Sequence, residues 1–221
     1  MKNQALHGGL GRALLASLAI SGVLGGCVAL VGGAMVGGTM LVVDRRSTGA
    51  QVDDQTIEVR AANAIHAAVG ERARVSATSY NRVVLLTGEV PIEADRAQVE
   101  TIVAKVENVR AVVNELAVMP NSSFSQQSND ALITSKVKAA FVDAKDLQVG
   151  SMKVVTERGV VYLMGRITEA EATAAGNAAR SVGGVQKVVK VFEIITPAEL
   201  AAMPVPPSTA PAAPPASAPG K

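Results

Sequence analysis

Few side chains in this 221-residue chain could carry chemistry: the single cysteine, Cys27; the imidazole of His66; and the acidic groups Asp53-Asp54 and Asp143 with Asp146. A lone cysteine cannot close a disulfide within its own chain. His66 follows an apolar Ile65 in a helix-spaced stretch, and no Ser, Cys or further His beyond the leader forms a nucleophilic constellation with it, so it reads as a solvent-side helix residue. The carboxylates lack both EF-hand spacing and a zinc-like ligand set, and no metal is expected. The Gly-Gly pairs at 25–26, 32–33 and 37–38 are followed by no Gly-Lys-Ser/Thr and make no phosphate loop. With 2% aromatic residues and no Trp, a carbohydrate cleft or base-stacking surface is equally unexpected. The expectation is a protein that is not an enzyme and holds no cofactor.

The chemistry of Cys27 follows from its position. Lys2 and Arg12 precede the apolar stretch Ala13 to Leu24, too short for a membrane span of ~20 residues and ordered like a secretory signal. The stretch ends in Leu24-Gly25-Gly26-Cys27, which resembles the lipobox of bacterial lipoproteins. That resemblance implies a signal peptide over 1–26, cleavage before Cys27 and acylation of its thiol and new amino terminus. Val28, where an Asp would retain a lipoprotein at the inner membrane, implies delivery to the outer membrane, facing the periplasm. The other reading is an uncleaved anchor, since Val28 to Val43 is Gly-rich and apolar. Without Lys2 and Arg12 the basic and acidic residues number nineteen each, so a nucleic-acid partner is not expected.

What must be positioned behind this anchor is one unit written twice, Asp53–Met119 and Asn129–Ile195, offset by 76 to 77 residues. Val83-Val84-Leu85-Leu86-Thr87-Gly88 falls on Val160-Val161-Tyr162-Leu163-Met164-Gly165, and Asn108-Val109-Arg110-Ala111-Val112-Val113 on Gly184-Val185-Gln186-Lys187-Val188-Val189. Each unit opens with an acidic or Asx cap, Asp53-Asp54 or Asn129-Asp130, and a helix carrying Ile57, Ala61 and Ile65 or Ile133, Val137 and Phe141 on one stripe. Two β-rich runs follow around turns at Asn81 and Arg158-Gly159, and Gly88 and Gly165 are placed to end the second strand. A second helix comes next, Ile92–Glu107 or the stretch after Thr168-x-x-Glu171, a capping-box pattern. A last strand, Ala111–Val118 or Lys187–Ile194, completes the order α-β-β-α-β. The expected fold class is α+β, two helices covering one face of a three-stranded mixed sheet in each of two tandem domains.

This order, the V-V-x-L-x-G strand and the later G/N-V-x-x-V-V run resemble the BON domain, a small bacterial periplasmic module associated with phospholipid binding. Two such copies behind a lipobox resemble the lipid-binding, stress-associated lipoproteins of Gram-negative envelopes. The resemblance divides the chain into signal peptide 1–26, acylated spacer 27–52, domain 53–119, linker 120–128, domain 129–196 and tail 197–221. It implies that the second domain binds anionic phospholipid, chiefly through its first helix, at the inner leaflet of the outer membrane, and supports outer-membrane integrity.

Local charge agrees with that assignment: residues 51–119 carry seven basic and ten acidic groups, whereas 129–196 carry nine and seven. Each Lys near an anionic surface is worth ~1 kcal/mol. On the first helix of the second unit, Lys136 and Lys138 are the candidates for head groups, and Leu132, Phe141 and Val142 for the apolar margin. Phe141 also occupies the position of Ile65, which makes the core its other reading, and the two lysines read equally as a solvated helix face. From Pro197 onward the chain holds eight of its ten prolines and is expected to be disordered. The competing reading is an adaptor for envelope-assembly or cell-wall-remodelling proteins, which an exposed sheet edge would favour.

Overall fold

The computed structural model describes residues 44–144 and 147–203; the signal, Cys27, Asp146 and most of the tail lie outside them. The first unit comprises α1 (Thr48–Val69), β1 (Arg74–Tyr80), β2 (Val83–Val90), α2 (Glu93–Val103), β3 (Ala111–Asn114) and β4 (Ala117–Val118). The second comprises α3 (Phe124–Asp143), β5 (Met152–Glu157), β6 (Val160–Ile167), α4 (Glu169–Arg180) and β7 (Lys187–Ile194), followed by a short α5 (Pro197–Ala201). In each unit a hairpin pairs antiparallel and the strand after the helical crossover pairs parallel with the second hairpin strand, giving the mixed α+β sheet. The expected single strand Ala111–Val118 is broken: Asn114 Oδ1 accepts the Leu116 amide at 3.2 Å, Leu116 turns into the core, and β4 resumes the pairing with β2.

Both first helices start earlier than the acidic residues suggested. Ser47 caps α1, its Oγ accepting the Ala50 amide, and Ser123 caps α3 in a reciprocal capping box with Gln126. Phe124 to Ser128 are therefore helix, not linker. Likewise Thr196 and Glu199 form a capping box with Pro197 at the first helical position, so the tail begins with α5 rather than with disorder.

Asp54 and Asp130, freed from capping, lie buried inside their helices and bind the hairpin turns. Asp54 accepts the amides of Asn81 and Arg82 at 2.8 and 2.7 Å, and Asp130 those of Arg158 and Gly159 at 2.7 and 2.8 Å. Both turns place two consecutive residues at positive φ, 49° and 65° in the first and 52° and 71° in the second. Such turns suit the strand twist but strain non-glycine residues, and the carboxylate offsets that cost by satisfying both amides. Gly88 and Gly165 sit within their strands, not at the ends. A Cβ on Gly88 would stand 2.0 Å from the Arg74 carbonyl oxygen, and one on Gly165 2.7 Å from that of Ser151. Close backbone approach, at Gly88 joined to a φ of 117°, is what excludes a side chain.

Each helical layer buries one sheet face. Val84 and Leu86 join Ile57, Ala61 and Ile65 in one core, and Val161 and Leu163 join Ile133, Val137 and Phe141 in the other. The alternate strand residues point the opposite way and meet: Tyr80 and Leu85 pack with Tyr162 and Met164 in a third cluster between the sheets. The units stand back to back, helices outward. Tyr80 Oη donates to the Ser151 carbonyl at 2.7 Å, and Lys153 Nζ donates to the Ser79 carbonyl at 2.9 Å.

Candidate functional site

The back-to-back arrangement turns α3 outward, and its outer face is the candidate surface. At about 100° per residue, Phe124, Leu132 and Val142 fall on one side of the helix, along about 27 Å of its axis. They are 85%, 60% and 51% exposed. Lys136 and Lys138 lie exposed on either flank of this apolar ridge, without an ion-pair partner among the described residues. Four of the five candidate residues thus share one face. Phe141 does not: it is fully buried in the core of the second unit, because its place on the helix is the inward stripe of Ile133 and Val137. Phe124 takes its part in the ridge; a cap at Asn129-Asp130 places it in the linker, and the signal that finds it is Ser123 with Gln126 three residues on.

The corresponding face of α1 differs. It exposes Val52 and Val59, but its cation Arg60 pairs with Glu107. His66 stands in solvent 3.9 Å from Glu71 and lines neither of the two main clefts.

Ion pairs run both ways between the units: Lys153 and Arg158 of the second serve Glu58 and Glu89 of the first, each at 2.8 Å. In the second unit Glu157 pairs with Arg74, Glu171 with Arg45 at 2.7 Å, and Glu193 with Arg110 at 2.7 Å, so arginines from outside the unit neutralise its acids. Asp130 is occupied by the turn amides. Lys136, Lys138, Arg180, Lys187 and Lys190 are exposed and have no carboxylate partner among the described residues, against the exposed acids Asp143 and Glu169.

At the interface Glu89, fully buried, receives Arg74 Nε and Arg158 Nη1, both at 2.8 Å, and the Ser122 amide at 3.2 Å. Burial opposes ionisation there, yet these donors hold Glu89 below the usual carboxylate range. Burial wins at neighbouring Glu157 and pushes it up despite Arg74. Nothing in the sequence pattern marked this cluster: Arg74 and Glu89 face each other across the β1–β2 hairpin, and Glu157 and Arg158 join them only when the two units pack.

Among the described residues no group of three or more His, Cys, Asp and Glu could hold a metal, and no helix is long and apolar enough to cross a membrane. The BON domain family matches residues 53–120 and 129–196. The chain is 42% identical over 176 residues to the outer membrane lipoprotein DolP of Haemophilus influenzae, an alignment that spans 78% of this chain and 90% of that protein. It is 36% identical over 155 residues to a 21 kDa hemolysin of Actinobacillus pleuropneumoniae, spanning 69% and 80%. Among solved structures, CdsD of the Chlamydia trachomatis type III secretion system aligns over 63% of this chain and 95% of that one, with a TM-score of 0.28 and 10% identity.

Proposed function

The chain belongs to the BON-domain family, and on that premise we propose that it is a non-enzymatic outer-membrane lipoprotein, facing the periplasm, whose second domain binds anionic phospholipid and supports outer-membrane integrity. Acylated Cys27 fixes it to the inner leaflet of the outer membrane; the outer face of α3 adds a second, lipid-selective contact. The observation that carries this reading is the exposed Phe124–Leu132–Val142 ridge flanked by Lys136 and Lys138.

The magnitudes fit a secondary contact. Two lysines at ~1 kcal/mol each and three partly inserted apolar side chains at about 1–2 kcal/mol each make roughly 5–8 kcal/mol. Such a contact is weak for a free protein and ample for one already held at the surface, where the effective concentration is high. Charge supplies the selectivity: without anionic lipid the lysine contribution is lost and the ridge alone remains.

The test removes the anchor so that the second contact is visible. The mature chain from residue 27, carrying Cys27→Ser, is floated with phosphatidylethanolamine vesicles with and without a quarter phosphatidylglycerol. Binding is expected to be at least tenfold tighter to the anionic vesicles, and to be weakened at least tenfold by Leu132→Glu and by the Lys136→Glu/Lys138→Glu pair. Binding that ignores lipid charge, or that survives both variants, refutes the assignment; no binding at all favours an adaptor for envelope-assembly or cell-wall-remodelling proteins.

A further inference from the structure

Two cations of the second unit converge at a junction where the first unit has a carboxylate. Lys190 pairs with Leu163 across the β7–β6 ladder, and Leu163 lies in the helix-side core, so Lys190 also points to the helical layer. Its stem crosses the α4 glycine Gly176. A Cβ on Gly176 would lie 2.8 Å from Lys190 Cε and 3.5 Å from both Lys190 Nζ and Arg180 Nη1. The two charged groups are therefore no farther apart than twice 3.5 Å. Both residues are exposed; Arg180 donates to Asn177 Oδ1 at 3.2 Å, and neither has a carboxylate partner among the described residues.

The internal repeat supplies a control. At the 76-residue offset, Gly176, Arg180 and Lys190 correspond to Glu100, Ala104 and Asn114. There Asn114 Nδ2 donates to Glu100 Oε2 at 2.8 Å and to the Arg96 carbonyl at 3.3 Å, closing the junction between helix and last strand. The second unit lacks the acid, lays the Lys190 stem where that side chain would stand, and places two like charges beside it. A lysine needed only to tie β7 to α4 would be served by a glutamate at 176. Like charges this close repel, and only an anion between them turns the repulsion into attraction.

We infer that Arg180 and Lys190, brought side by side over Gly176, form a site for a phosphate group, separate from the α3 ridge but on the same outer helical layer. The guanidinium presents a planar pair of donors to two phosphate oxygens, and the ammonium acts as a point charge on a third. Phosphate monoesters, free phosphate and phosphodiester head groups share this chemistry. The site stands whether or not the ridge inserts into lipid.

The test is a titration of the full chain in nonionic detergent, read by the amide resonances of residues 176–190. Three probes are added separately: inorganic phosphate, glycerophosphoglycerol, and phosphatidylglycerol in mixed micelles. A saturable shift is expected with at least one, weakened about fivefold by Arg180→Gln and by Lys190→Gln. Gly176→Glu, which copies the first unit, is expected to abolish it; thermal unfolding reports whether that variant is folded, and the two glutamine variants carry the test if it is not. Response to inorganic phosphate identifies a soluble-phosphate site, and response confined to the micelles a head-group site. Leu132→Glu leaves the shift in place, so failure of the ridge and failure of this site are separately visible. Absence of a saturable shift with all three probes, or an undiminished one in both glutamine variants, overturns the inference.

Discussion

Asp130 is a single side chain on which a whole hairpin turn depends. Its two carboxylate oxygens satisfy the amides of Arg158 and Gly159 from inside α3, and Arg158 is held at a φ of 52° that a non-glycine residue adopts at a cost. Hydrogen bonds to a charged acceptor contribute about 1.5–3 kcal/mol each. Asp130→Ala is therefore expected to lower the free energy of urea unfolding by about 3–5 kcal/mol, while Asp130→Asn, which keeps an acceptor for one amide, loses less. Equal losses for both variants would mean that packing, not amide capture, is what Asp130 supplies. The aspartate was visible in the sequence, but as a helix cap: an acid just before an apolar stripe suits both roles, and only the serine seven residues earlier tells them apart. For the same reason Phe124 was hidden. Leu132, Lys136, Lys138 and Val142, by contrast, could be placed on one face from helical spacing alone, because the inward stripe of Ile133 and Val137 fixes which side is out.

At the scale of elements, charged groups fasten strand ends and the entering chain to the opposite unit. Arg45 reaches Glu171 on α4 with both Nη atoms at 2.7 Å and the Arg166 carbonyl at 3.1 Å, while adjacent Arg46 binds Asp54 at 2.7 Å and stacks over Tyr80 at 4.4 Å. The segment before α1 thus clasps both units. Burial alone would raise Asp54, Glu89, Glu171 and Glu193, but donors from Ser79, Arg74, Arg45 and Arg110, among others, hold each below its ordinary value. The stability these four contribute is complete above the unfolded values of 3.8 and 4.5 and is lost as pH falls through the depressed folded ones. Glu157, raised above 4.5 by burial, acts in the opposite sense: its contribution is present in acid and is lost as pH rises through its folded value. Urea midpoints are accordingly expected to rise slightly as pH is lowered from neutrality toward the ordinary glutamate value of 4.5, and to fall steeply below the ordinary values of 4.5 and 3.8. Glu157→Gln should abolish the rise and keep the fall; a rise that persists in that variant would assign it to another group.

For the whole molecule, the question is whether two small units fold as one. Units of about 70 residues are near the lower limit for independent cores, and here each sheet buries its second face only against the other sheet. The runs Val83–Leu86 and Val160–Met164 already carried this information, since a strand buried on both faces reads as continuous rather than alternating apolar residues. The α-β-β-α-β order and the helix-side cores were legible because local periodicity encodes them; the charged cluster of the interface was not, because it joins residues from both copies. The chain's only two tyrosines, Tyr80 and Tyr162, both lie in that interface, and there is no Trp. Tyrosine fluorescence therefore reports unit–unit packing, while far-ultraviolet circular dichroism reports helices and strands in both units. If packing and folding are one event, the two signals change at the same urea concentration. Removing Leu85, fully buried between the sheets, by Leu85→Ala should lower that common midpoint by the equivalent of about 2–5 kcal/mol. A fluorescence transition that precedes the dichroism transition in the unsubstituted chain would show instead that the units separate before they unfold, leaving each outer helical layer to stand on its own core.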